Sequence, residues 1–196
     1  MSWTRTFALM GVLAVPALAP RDAAATTFMK TTLEQRVGMS DVIVRGTVTE
    51  VWTERDDQGV IWTRAQVEVD HVLKGDPDLE TVIVDQIGGE WAGMHMAMPG
   101  ASRYSPGEEM VVMLDELDSG YMAPVGMFQG KFTVTMDPRL REKIAVRFHV
   151  ANHRKFDHRF VPLPAETDAV TVAALETRIL DAVASPVALP TPEVKR

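Results

Sequence analysis

The chain has no cysteine. That excludes disulfides, thiolate metal sites, iron–sulfur clusters and cysteine nucleophiles, so the fold must be held by its packed core alone. Basic charge is scarce as well: 20 Lys and Arg stand against 27 Asp and Glu, a net charge of -7. No concentrated basic patch offsets this, since the nearest run, "RFHVANHRKFDHR", is interrupted by apolar residues at strand spacing. Such a surface repels phosphate backbones and anionic membranes, which argues against nucleic acid as a ligand. Enzyme signatures are missing too: there is no H-E-x-x-H, G-x-S-x-G or Walker loop, and no G-x-G-x-x-G after a strand. Glu108 and Glu109 are adjacent, so on a strand they point to opposite sides and cannot form an acid–base couple. Glu108 is expected to cap the "SPG" turn that precedes it. Glu90 is the one isolated carboxylate near other candidate ligands, and an unrecognised hydrolase is the weakest of the readings left open.

Long apolar runs are also lacking. The longest candidate, Phe7 to Ala19, is broken by Pro16 and falls short of the roughly 20 residues that cross a bilayer. With Arg5 before it and Ala23-Ala24-Ala25 after it, this run has the form of a secretory signal peptide. Residues 1–25 are therefore predicted to be a leader cleaved after Ala25. The mature chain would be exported to a periplasm or the medium, with no stable membrane span. Residues 26–184 suffice for one domain with its own core. The closing "SPVALPTPEVKR", 185–196, reads as a disordered proline-rich tail.

What is present is mostly strand pattern. "TTLEQRVGMSD" reads as a short helix with Leu33, Val37 and Phe28 on one side. In "DVIVRGTVTEVWTE" Val42, Val44, Val48 and Trp52 alternate with polar residues, and "RDDQG" turns the chain. The return strand puts Ile61, Ala65, Val67, Val69 and Leu73 on one face, and Trp62, Arg64, Gln66, Glu68 and Asp70 on the other, wet face. "LETVIVDQI" is a third strand. A glycine-rich loop of little regular pattern, 88–107, follows it. "EEMVVMLDEL" is a fourth strand, apolar on both faces from Met110 to Leu114 and so central. "GYMAPVGMF" and "QGKFTVTM" supply a fifth and sixth, and "KIAVRFHV" is predicted to pair with "FDHRFVPL". The period then changes: Val172, Leu175, Ile179 and Val183 fall three and four apart behind Thr171, an amphipathic helix with its N-cap. This predicts a mostly β fold: a small OB-like barrel, closed or partly open, with a helix at each end.

The order "DVIVRGTVTEV … VEVDHVLKG … IGGEWAG … PGASRYSPGEEMVVML … GMFQGKFTV", about residues 40 to 136, resembles a family of exported bacterial proteins of unknown function. Their layout is similar to the OB-like barrel of netrin modules and tissue inhibitors of metalloproteinases, and the closing helix resembles theirs as well. The resemblance implies the fold and no activity. The inhibitors act through an N-terminal cysteine that chelates zinc, and this chain has none.

Three sets of residues are candidates for binding. Met94, His95, Met96 and Met98 bring thioethers and an imidazole together, a set that suits Cu(I) in a cysteine-free exported protein. Methionine also fills irregular apolar gaps, and packing is the preferred reading, because Met110, Met113, Met122 and Met127 sit at ordinary strand positions. His149, His153 and His158 would meet in a hairpin turning at "NHRK" and could bind zinc or copper; a solvated polar face is the plainer reading. His71 is read as structural. Trp62, Trp91, Arg103 and Tyr104 are residue types enriched at interfaces, and are expected to form an exposed aromatic patch. The function expected is thus an exported, non-catalytic binding module, for a protein or peptide partner or a glycan. A Cu(I)- or zinc-binding protein is the alternative.

Overall fold

The computed structural model describes residues 31–148 and 167–187. The leader, Phe28, the three clustered histidines, the strand expected within 156–163 and residues 188–196 lie outside them. The fold is mostly β, with a helix near each end. In chain order the elements are α1 (Leu33–Met39), β1 (Val42–Arg55), β2 (Ile61–Lys74), β3 (Thr81–Ile87), β4 (Gly89–Trp91), β5 (Met94–Met96), β6 (Glu109–Glu116), β7 (Met122–Pro124), a 3-10 turn (Met127–Gly130), β8 (Lys131–Asp137), β9 (Glu142–Phe148), β10 (Thr167–Thr171) and α2 (Val172–Ala184). No described helix is long and apolar enough to cross a membrane.

The main sheet is antiparallel in the order β10-β9-β8-β6-β1-β2-β3, with β7 paired to β6. β1 and β2 form its longest hairpin. Asp56 shapes the turn between them by accepting from the amides of Gln58 (3.0 Å) and Val60 (2.8 Å). β1 is bulged beside Gly46. A Cβ there would stand 2.2 Å from the Glu68 carbonyl oxygen, so no other residue lets β1 approach β2 so closely. Ile43 and Val44, neighbours in sequence and so on opposite faces, are both fully buried because each face of the sheet is covered.

Each face of the sheet carries a core. On one, Ile43, Val111, Met113, Phe132 and Val134 pack under Leu33 and Val37 of α1 and Leu175 and Ile179 of α2. On the other, Val44, Val48, Ala65, Val67, Val84, Val112 and Leu114 enclose Tyr104. β6 is central, as its apolar run predicts, because Met110–Leu114 is buried on both sides. The helices are tied down by polar contacts at their ends. Thr32 caps α1 in a capping box with Gln35, and Thr171 accepts from the amide of Ala174 at the start of α2 (3.3 Å). Lys74 Nζ donates to the Val37 carbonyl at the C-terminus of α1 (2.9 Å) and to that of Ser40.

One expectation is corrected here and another is narrowed. Among the described residues β9 pairs with β8 and with β10, Thr167–Thr171, a strand that the helical period of the next segment hides; the partner expected within 156–163 lies outside them. The "GYMAPVGMF" strand is only β7, because Gly126 and Met127 take positive φ and start a 3-10 turn. The ladder does not close: β3 and β10 are its two ends. β7 lies beside the C-terminal half of β3, yet they share no ladder; the Met122 amide donates across the gap to Asp85 Oδ2 (2.9 Å).

Candidate functional site

The 88–107 segment is not featureless. β4 and β5 form a small separate hairpin with Trp91 opposite Met94, Glu90 opposite His95 and Gly89 opposite Met96. Its two turn residues, Ala92 (φ 47°) and Gly93 (φ 78°), are both left-handed, as a type I′ hairpin requires. The hairpin is anchored on the far end of β1 and β2. Thr53 Oγ1 donates to the Glu90 carbonyl and Thr63 Oγ1 to that of Gly88, both at 2.7 Å. Trp91 is 36% exposed and Met94 42%; His95 and Glu90 are exposed, and Met96 and Met98 are half-buried.

The rest of the segment folds back onto the sheet, which overturns part of the predicted aromatic patch. Tyr104 is 8% exposed, sunk in the second core with Lys131 Nζ 4.5 Å above its ring. Burial pushes its phenol well above the usual range. Lys131 is itself buried. It donates to the Arg103 carbonyl and pairs with Glu108 Oε1 at 2.8 Å, which also accepts from Thr133 Oγ1 (2.7 Å). Burial lowers the Lys131 pKa, against the pull of Glu108. Glu108 also accepts from the Ser105 amide (3.3 Å), the turn-capping role expected of it, and Glu109 reaches Lys143 instead (2.7 Å). This knot leaves the Arg103 side chain exposed and hides Tyr104.

Trp62 is not an exposed anchor either. It does point away from the second core, but the 117–121 turn covers it. Its ring meets Tyr121 edge-on at 4.8 Å and its Nε1 donates to Asp56 Oδ2 (2.9 Å), leaving 9% exposed. Of the predicted set, Trp91 and Arg103 are on the surface. His71 contacts Glu176 of α2 at 3.4 Å, as does Arg45, so it helps dock the helix. No protein-family model matches the chain, and no curated protein matches it.

The surface that sequence reasoning missed is the outer edge of β3. The Val69 amide donates to the Glu80 carbonyl and the Gly88 amide to that of Ile61, each at 2.8 Å, across the β2–β3 register. By antiparallel alternation, the even-numbered residues of β3 bond to β2, and Thr81, Ile83, Asp85 and Ile87 turn their N–H and C=O groups to the open side. β7 covers that side at Asp85 and leaves it free around Thr81 and Ile83. Ile83 is 41% exposed. Two adjoining open cavities, of about 970 and 460 Å³, border this edge and share Gln66 and Thr81.

Arg64 and Tyr121 stand at the smaller cavity. Arg64 pairs with Glu54 and Asp85, each at 3.0 Å, and lies 4.8 Å over the Tyr121 ring. Burial raises the Asp85 pKa, opposed by the Met122 amide and Arg64. The carboxylate thus serves as a clasp between β3 and β7. The run "TVIVD" gives no period-two signal to separate its faces, which is why Ile83 escapes a reading by pattern. Among the described residues no three of His, Asp and Glu gather as a metal-binding group.

Proposed function

We propose that the protein is an exported, non-catalytic binding module, an OB-like, partly open barrel that captures an extended segment of a protein or peptide partner. The segment docks along the outer edge of β3. The observation that carries this reading is an edge that no described strand pairs: outward backbone groups at Thr81 and Ile83, an exposed Ile83 side chain and two adjoining cavities. Unpaired edges recruit strands, with main-chain hydrogen bonds giving affinity and alternate side chains giving specificity. The acidic balance favours partners with basic or neutral segments. Loss of Trp62 and Tyr104 from the surface moves the binding face away from an aromatic patch and toward backbone pairing.

The test is selection of binders from a library of unstructured peptides on the wild-type chain, repeated with Ile83→Pro. Proline removes the outward N–H without touching the ladder to β2. Peptides selected on wild type should bind Ile83→Pro at least tenfold more weakly, and Ile83→Thr, which keeps the N–H, should retain most affinity. Equal binding to wild type and Ile83→Pro refutes docking at this edge.

A further inference from the structure

The β4–β5 hairpin carries a second, independent site that uses no residue of β3. Register decides its composition. Trp91 stands directly across from Met94, and Met96, two residues along β5, shares the face of Met94. Directly opposed side chains have Cβ atoms about 4.5–5.5 Å apart, and the diagonal from Trp91 to Met96 is within reach of an indole. The residue opposite Met96 is Gly89; a Cβ there would stand 2.5 Å from Thr63 Oγ1, so the base of this face rests on β1 and β2, and the side chains that the hairpin itself contributes are two thioethers and one indole. His95 and Glu90 form the opposite pair and point to the other face. Met98 lies beyond β5, with its Cβ packed toward Gly88 at the base: a Cβ on Gly88 would stand 3.3 Å from it. The expected Met94–His95–Met96–Met98 set is therefore divided, and Trp91 joins it.

We infer that Trp91, Met94 and Met96 form a binding site for Cu(I). Two neutral, polarisable sulfurs select a soft monovalent ion over Zn²⁺, which takes thiolate, imidazole or carboxylate, and Ca²⁺, which takes oxygen. Trp is the best of the aromatic side chains at holding a cation against its ring. Trp91 and Met94 are exposed enough to admit the ion, and half-buried Met96 forms the floor. The paired positive φ values at Ala92 and Gly93 fix the two-residue turn, so Trp91 and Met94 face each other before any ion arrives. A chain of net charge -7 also raises the local concentration of cations.

The experiment is anaerobic titration of the purified chain with Cu(I) against a chromophoric Cu(I) chelator. Methionine methyl resonances are recorded in parallel with Ag(I) as the stand-in that does not oxidise to a paramagnetic ion. One equivalent should bind, the Met94 and Met96 methyls should shift, and those of buried Met110 and Met113 should stay. Met94→Leu and Met96→Leu should each weaken binding at least tenfold, Trp91→Phe about two- to fivefold, and His95→Ala not at all. Should a leucine variant fail to fold, the methyl shifts of the wild-type chain decide alone. Absence of uptake, shifts at other methionines in place of these two, or loss of binding in His95→Ala would overturn the assignment.

Discussion

Asp85 is the residue on which the unclosed side of the sheet depends. Its carboxylate faces Arg64 on β2, accepts from the Met122 amide on β7, and lies near enough to Glu54 to feel its charge. Burial outweighs the two favourable partners, so its folded pKa lies above the ordinary 3.8. The sign follows from linkage: between the unfolded and the raised folded value the native state holds more protons, so this group's contribution to stability falls as pH rises through that window. Asp85→Asn keeps an oxygen for the Met122 amide and removes the titration. Denaturant unfolding from pH 3.5 to 6 should give a curve for the variant that climbs more with pH than that of wild type. Parallel curves would mean that Asp85 titrates as an exposed carboxylate does. Lys131 shows the same balance with the sign reversed: burial lowers its pKa, although Glu108 and a backbone carbonyl meet its ammonium in the same place.

At the scale of elements, α2 shows how pattern and packing agree. Leu175 and Ile179, one turn apart, are both sealed against the first core, and Thr171 caps the helix as its position predicts. Ile179→Ala should cost about 3 kcal/mol, since a fully buried aliphatic side chain is removed from a face that a helix and a sheet hold rigidly. Thermal or denaturant unfolding measures it, and a loss under 1 kcal/mol would mean that α2 is only loosely docked. Legibility followed the strength of the period. β1, β2 and β8 can be read from alternation, both helices from three–four spacing, and β3 and β6 from unbroken apolar runs between turn signals. What could not be read came from contacts distant in sequence. Trp62 belongs to the polar face of its strand and is hidden only because Tyr121 arrives from another hairpin; Tyr104 sinks because Lys131 holds the chain beside it. Ile43 was hidden by the two helices that cover its face, and β10 by the helix that follows it. In the Met/His segment the chemistry was legible but not the grouping, since only the β4–β5 register reveals that Trp91 and His95 fall on opposite faces.

For the molecule as a whole, one sheet with a core on each face must differ in stability between its middle and its ends. β6 and the first half of β1 are flanked by strands on both sides and covered on both faces, so their amides open only in global unfolding. β3 has one neighbour in the ladder. Within it, Val82 and Val84 send their amides to β2, and Thr81 and Ile83 send theirs outward. Native-state hydrogen exchange should therefore alternate along this strand, with Val82 and Val84 protected and Thr81 and Ile83 exchanging orders of magnitude faster. A captured peptide would pair with the outward amides and slow Thr81 and Ile83 specifically, leaving Val82 and Val84 nearly unchanged. Uniform protection along β3 before any peptide is added would mean that the edge is already covered in solution, and the docking surface would have to be sought elsewhere on the sheet.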